Sequence, residues 1–169
     1  MQGAVTRVVE TYQTALDARG AQVVIDRCAQ PIRVLLNDEA FGIALRNLLE
    51  NAAKYSPTDA AAITVKIERD AGIARVHVDD QGPGVAVEER PRIFDRFYRA
   101  GNEMTRSTAG VGLGLHLVRG MIEAMHGWVT VSDALAGTGA RFTLHLPIRV
   151  APASEQPLRG ELRSVRGTP

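Results

Sequence analysis

The stretch LRNLLENAAKY, residues 45–55, indicates an amphipathic helix that carries two amides and a lysine on its polar face. At about 100° per residue, an α-helix places Asn47, Asn51 and Lys54 within about 60° of one another, with Tyr55 at the edge. Two amide oxygens one turn apart can hold a hydrated Mg²⁺, and a lysine beside them can meet a phosphate. An ordinary amphipathic helix with a solvated polar face has the same pattern.

Two glycine-containing motifs follow this helix. In VDDQGPGV, residues 78–85, the Asp80 carboxylate at a strand end can accept a hydrogen bond from an exocyclic amine. The glycines beside it let a flat base approach the backbone, although an ordinary polar turn has the same composition. GVGLGL, residues 110–115, opens a helix whose bare N-terminal amides suit phosphate. It is neither a Rossmann fingerprint nor a P-loop.

Hydrophobic periodicity around these motifs predicts an α+β fold with one sheet and its helices on one face. The central helix is expected over 38–55, with Asn37 or Asp38 as its cap. A long connection from 82 to 114 is typical of a functional loop. The remaining elements are helices at 5–18 and 115–125, and strands at 21–28, 32–36, 63–68, 73–79, 129–132 and 141–147.

Composition limits the classes of protein that fit. The chain has 169 residues, a net charge of +1 and a single cysteine, Cys28. The charge gives no support for nucleic-acid binding, and one cysteine excludes a disulfide within the chain and a thiolate metal cluster. No apolar stretch approaches the roughly 20 residues that span a bilayer, and no signal-peptide pattern is present. Residues 1–149 are expected to form one domain, and 150–169 a disordered tail.

The motifs together resemble the catalytic, ATP-binding domain of sensor histidine kinases in the GHKL superfamily. The similarity runs from about residue 5 to 148, and the helix motif and IFDRFY at 93–98 resemble the histidine-kinase branch. It implies a two-layer α/β sandwich, with a mixed, mostly antiparallel sheet of about five strands and three helices on one face. In order and spacing, the motifs match the N, G1, F, G2 and G3 boxes, at 45–55, 80–84, 93–98, 110–114 and 137–139.

The resemblance also implies roles for individual residues, with ATP and Mg²⁺ as the cofactors. Asn51, with help from Asn47, would coordinate Mg²⁺, and Lys54 and Arg99 would contact phosphate. Tyr55 would stack near the adenine, whose amino group Asp80 would bind. Residues 100–109 would form a lid over ATP, and Ala140 replaces a common Ser or Thr. The glycine-rich segments would shape the base pocket, through Gly82 and Gly84, and wrap the triphosphate, through Gly110, Gly112, Leu113, Gly114 and Leu115.

The expected partners follow from the same resemblance. None of the four histidines has an acidic residue after it, so the phosphoacceptor is expected on a separate dimerisation domain, with a response regulator downstream. The domain would be cytoplasmic and not membrane-embedded, in a parent attached to the inner membrane. The alternatives are a self-sufficient GHKL ATPase or serine kinase, which has an acidic general base where Asn47 stands, and a module that only binds nucleotide. The histidines are His77, His116, His126 and His145.

Overall fold

The computed structural model describes residues 1–57, 61–100, 111–135 and 137–148. Within them the chain forms one five-stranded sheet in the order β1-β2-β3-β5-β4. The pairing of β1 with β2 is parallel and the other three pairings are antiparallel, as predicted for an α+β fold. The elements are α1 (Gln2–Asp17), β1 (Ala21–Asp26), α2 (Asp38–Tyr55), β2 (Ala61–Asp70), β3 (Ile73–Asp79), α3 (Gly114–Glu123), β4 (Trp128–Asp133) and β5 (Ala140–Pro147).

The central helix α2 begins and ends where its sequence predicts. Its N-cap is Asn37, whose side chain accepts a hydrogen bond from the Ala40 amide at 3.0 Å. Asp38 and Glu39 in the first turn and Lys54 in the last complement the helix dipole. The apolar face is fully buried against the sheet and the neighbouring helices at Phe41, Ala44, Leu45, Leu48 and Leu49. Burial of this face fixes the rotation of α2, so its polar face points to the end of the sheet where β3 stops.

One predicted strand is wrong. Residues 32–36 form no strand, and β1 ends at Asp26. Ile32 is nonetheless buried, which explains its apolar side chain. The start of α1 satisfies its backbone, since the Met1 amine donates to the Ile32 carbonyl at 2.9 Å and the Ile32 amide donates to Gln2 Oε1 at 3.2 Å. A short apolar run that buries one residue beside a helix terminus resembles a strand when only the sequence is visible.

The sheet has two different faces. The three helices cover one face, where alternate strand residues such as Val65, Val76 and Leu144 are fully buried. Polar cross-strand contacts occupy the other. His77 lies between the Thr143 hydroxyl at 2.9 Å and Glu68 Oε2 at 3.1 Å. His145 stacks on Trp128 with ring centroids 4.7 Å apart. Both histidines therefore have structural partners.

Candidate functional site

A cavity of about 570 Å³ lies where the end of α2, the end of β3 and the start of α3 meet. Its volume is within the range of about 300–1,000 Å³ that cofactor sites occupy. Most of the site residues expected from sequence line it: Asn51, Lys54, Tyr55, Asp80, Gly84, Arg99, Gly112, Leu113, Gly114 and Leu115. Gly82 and Asn47 are not on the lining, and Gly110, with residues 101–109 of the expected lid, lies outside the described residues.

Asp80 is the buried acid of the cavity, with 7% of its surface exposed. Its Oδ1 accepts hydrogen bonds from the amides of Gly82 and Ala140, both at 2.9 Å. Burial raises the pKa of the Asp80 carboxyl above its ordinary value. The two amide hydrogen bonds lower this pKa, and the negative charge of Asp79 raises it further. Since both bonds fall on Oδ1, Oδ2 is the oxygen that a ligand in the cavity can use.

Gly139 makes this arrangement of Asp80 possible. It has φ +103°, and a Cβ at this position would collide with the Asp80 carbonyl oxygen. The Asp80 amide donates to the Ala140 carbonyl at 3.0 Å, which extends the β3–β5 pairing by one residue. Gly82 contributes through its amide, behind the carboxylate, while Gly84 lines the cavity. The two glycine motifs at 80–84 and 137–139 thus meet around one carboxylate.

The polar face of α2 is divided between the cavity and its supporting wall. Asn51, Lys54 and Tyr55 line the cavity, and the Lys54 ammonium lies 4.9 Å from the centroid of the Tyr55 ring. Asn47 lies one turn earlier, where its Nδ2 donates to the Ile43 carbonyl at 2.8 Å. A Cβ added to Gly114 would be 3.0 Å from Asn47 Oδ1. Asn47 therefore packs closely against the start of α3, where a side chain larger than that of glycine would meet its amide oxygen.

The first turn of α3 forms a second part of the cavity wall. Gly112, Leu113, Gly114 and Leu115 line the cavity, and α3 begins at Gly114. The helix N-terminus has no capping side chain among the described residues and no acidic residue in its first turn. Its amides and the positive end of its dipole are suited to an anion. Lys54 and Arg99 add two cationic side chains to the same cavity.

A backbone contact joins the segment before residue 100 to the start of α3. The Phe97 amide donates to the Gly112 carbonyl at 3.0 Å, with Phe97 itself at φ +64°. Gly112 has φ +75°, and a Cβ on it would be 2.8 Å from the Tyr98 carbonyl oxygen. A bulky residue rarely adopts positive φ, so the surrounding structure must hold Phe97 there. The contact brings Tyr98 and Arg99 to the cavity beside the first turn of α3.

Sequence reasoning missed the apolar wall of the cavity. Tyr98 has its ring 4.7 Å from the Arg92 guanidinium, and its hydroxyl lies 3.3 Å from Glu89, which is also on the lining. The signal was present in the apolar cluster at 93–98, within an otherwise polar connection. Such a wall suits a flat heterocycle. The lining residues to which sequence reasoning assigned no role are Pro83, Val85, Ala86, Glu89, Ile93, Tyr98, Val111 and Phe142.

Comparison with known proteins identifies the class. A model of the family described as histidine kinase-, DNA gyrase B- and HSP90-like ATPase matches residues 37–150. The sensor-like histidine kinase SenX3 of Mycobacterium tuberculosis (strain H37Rv) is 34% identical over 167 residues, or 96% of this chain and 40% of that protein. The sensor histidine kinase CpxA of Escherichia coli (strain K12) is 39% identical over 143 residues, or 85% of this chain and 30% of that protein.

Solved structures agree with the sequence relatives. The mycobacterial sensor histidine kinase MprB superposes with a TM-score of 0.73 at 29% identity, covering 88% of this chain and 95% of that one. Full-length ShkA in complex with AMPPNP gives a TM-score of 0.74 at 30% identity, covering 89% of this chain and 30% of that one. The chain belongs to the histidine kinase-, gyrase B- and HSP90-like ATPase family, whose members bind ATP. Within this family it is a catalytic, ATP-binding domain of the sensor histidine kinase type.

The chain spans 40% of the length of SenX3 and 30% of the length of CpxA. No helix among the described residues is both long and apolar enough to cross a bilayer.

Proposed function

We propose that this domain binds Mg-ATP in the cavity and presents the γ-phosphate to a histidine on a separate dimerisation domain. The observation that carries the proposal is Asp80, a buried carboxylate whose Oδ1 is held by two amides while Oδ2 is left for a ligand. An adenine amino group would donate to Oδ2, and the apolar wall would pack against the ring. The AMPPNP complex of the similar kinase ShkA supports this assignment.

The phosphates would lie at the opposite end of the cavity. The start of α3 offers backbone amides there, and Lys54 and Arg99 offer positive charge. Anion binding at a helix N-terminus needs close approach to the backbone, which the glycines at 112 and 114 allow. The Asn47 amide behind Gly114 would keep this turn in place.

The residues present fit a magnesium ion. Asn51 offers an amide oxygen on the cavity lining, on the same helix as Lys54. Asn47 is off the cavity lining and its Nδ2 donates to the Ile43 carbonyl, so Asn51 is proposed as the main protein ligand and Asn47 as a positioning residue. When bound, the ion would neutralise charge on the phosphate oxygens.

Transfer to a histidine is favoured over rapid hydrolysis because position 47 carries an amide and not a carboxylate. Asn47 cannot accept a proton from water, and Glu50 is exposed, 3.6 Å from Arg46 and off the cavity lining. Glu89 does line the cavity, and its carboxylate lies within hydrogen-bond distance of the Tyr98 hydroxyl. None of the four histidines, all among the described residues, lines the cavity. The nucleophile is therefore proposed to come from another domain.

The proposed partners are the dimerisation and phosphoacceptor domain of the same kinase and a response regulator downstream, with no role for nucleic acid. The domain is proposed to act in the cytoplasm as part of a parent attached to the inner membrane. The sequence similarity to SenX3 and CpxA supports this setting.

The test is incubation with γ-labelled ATP, first of the domain alone and then with a dimerisation domain of the parent kinase. We expect binding without self-labelling, slow phosphate release, and acid-labile labelling of the added domain. Labelling of this domain alone would identify one of its own histidines as acceptor. Rapid phosphate release that Glu89→Gln abolishes would favour a self-sufficient ATPase, with Glu89 as the base.

A further inference from the structure

A partly exposed ion pair lies on the uncovered face of the sheet, one residue before Asp80. Asp79 and Arg141 are opposite one another in the antiparallel pairing of β3 with β5. Arg141 donates from Nε to Asp79 Oδ1 and from Nη2 to Asp79 Oδ2, both at 2.6 Å. Their side chains are only 17% and 12% exposed. A bidentate, largely buried pair of this kind fixes both distance and orientation between the two strands.

The pair is the last side-chain contact between the strands before Asp80. The next residue pair, Asp80 and Ala140, exchanges backbone and side-chain hydrogen bonds at 3.0 and 2.9 Å. Successive residues of a strand point to opposite faces, so Asp79 and Asp80 sit on different sides of the sheet. Movement of β5 relative to β3 at this end would therefore change the position of Asp80 through the Ala140 amide.

The pair also bears on the charge beside Asp80. Asp79 is the adjacent residue, and its negative charge disfavours ionisation of the Asp80 carboxyl. The Arg141 guanidinium, in direct contact with Asp79, compensates that charge locally. If Arg141 were removed, Asp79 would lose the bidentate partner that compensates its charge, and that charge would act directly on Asp80.

We propose that Asp79 and Arg141 are a positioning pair that sets the base selectivity of the cavity, by holding Asp80 in place as a hydrogen-bond acceptor. This rests on the proposed function, in which Asp80 binds the amino group of adenine. Guanine presents a carbonyl oxygen at the corresponding ring position, which a fixed carboxylate repels. Loosening Asp80 would weaken adenine binding and relax the penalty against guanine.

The experiment measures the dissociation constants of Mg-ATP and Mg-GTP for the wild type, Arg141→Met, Arg141→Lys and Arg75→Met. The last is the matched control, because Arg75 of β3 pairs with Asp70 of β2 at 2.7 Å, toward the end of β3 that is far from Asp79. The ATP-to-GTP preference is the useful readout, because partial unfolding lowers both affinities by the same factor. Arg141→Lys keeps the charge and serves if Arg141→Met does not fold.

For Arg141→Met we expect about a 10-fold loss of ATP affinity, which is the size expected for one charge-assisted hydrogen bond. The affinity for GTP should change much less. Arg141→Lys should show a smaller loss of preference, and Arg75→Met should keep the wild-type preference. If the wild type prefers ATP and the Arg141 variants keep this preference, the inference about the pair is overturned and the proposed function is unaffected. A wild type that binds neither nucleotide would overturn the proposed function as well.

Discussion

The two faces of the sheet are stabilised by different forces, although each strand contributes to both. On the helix-covered face, Val65, Val76 and Leu144 are fully buried in one apolar core. On the uncovered face the strands are joined by directional contacts, such as those of His77 with Thr143 and Glu68. Burial of apolar area stabilises in proportion to the area and tolerates small shifts, whereas hydrogen-bonded pairs fix register and position. Stability therefore comes mainly from the helix-covered face, and the alignment of the strands comes from the uncovered face.

The largest expected effect tests the stability half of this comparison. Leu144→Ala removes a fully buried side chain of the helix-covered face and should lower the free energy of unfolding by about 2–5 kcal/mol. Val24→Ala is the matched change on the uncovered face, where Val24 is 60% exposed, and should cost less than about 0.5 kcal/mol. Denaturant titration with unchanged m-values measures both. Equal losses in the two variants would contradict the division between the faces.

Asp80→Asn is expected to separate binding from stability. ATP affinity should fall about 10- to 150-fold, since a charge-assisted hydrogen bond contributes about 1.5–3 kcal/mol. Calorimetry measures this, and unchanged affinity would contradict the assignment of Asp80.

Asp80→Asn should raise the stability of the fold although it lowers the affinity for ATP. Because the pKa of Asp80 is raised in the folded state, the ionised carboxylate costs stability above that pKa, and the cost disappears as the pH falls below about 3.8. An asparagine can accept the same two amide hydrogen bonds without the charge. Thermal unfolding at neutral pH should therefore show a higher Tm for Asp80→Asn, and a difference that persisted unchanged at pH 3 would argue against this cause.

Asn51→Ala tests the polar face of α2. Mg²⁺ should raise the ATP affinity of the wild type. In the variant this increase should be smaller by about 10-fold or more, because the metal loses its main protein ligand. Asn47→Ala is the matched change, and it should retain more of the Mg²⁺ effect because Asn47 is off the cavity lining. Titrations with Mg²⁺ and with EDTA distinguish the two variants. The opposite order would make Asn47 the principal ligand.

The smallest expected effect concerns the uncovered face. Burial lowers the pKa of His77 below its ordinary value of 6.5, so its contribution to stability is present above that value and is lost as the pH falls through the folded-state pKa. His77→Gln should cost about 1 kcal/mol near pH 8, for an altered hydrogen bond, and should reduce the loss of stability on acidification. Urea titrations between pH 8 and pH 5 measure the effect. Parallel pH profiles for the two proteins would show that His77 does not titrate in this way.

Sequence was informative where one element carries its own signal. The apolar stripe and cap of α2 predicted its bounds, and therefore which of its side chains share a face. Asp80 and the glycines at 112 and 114 were assigned from local motifs, and they line one cavity. These features depend on spacing along a few turns or one strand, which the chain determines locally.

Features that depend on distant pairing could not be predicted in the same way. The contact of Arg141 with Asp79 requires the register of two strands that are 62 residues apart. The backbone of Ile32 is satisfied by the start of α1, and its burial resembles that of a strand residue. The positive φ of Phe97 opposes the local preference of a bulky residue, so tertiary contacts impose it.

The hydrogen bond from the Ala140 amide to Asp80 has a consequence for the order of folding, because the two residues are 60 positions apart in the chain. Contacts of such long range form slowly, since closing a long loop costs entropy before any contact compensates it. The Asp80–Ala140 contacts that the proposed base site needs therefore form only when β5 pairs with β3. Nucleotide binding should then report complete folding, and ATP at 100 times its dissociation constant should stabilise the domain by about 2.7 kcal/mol.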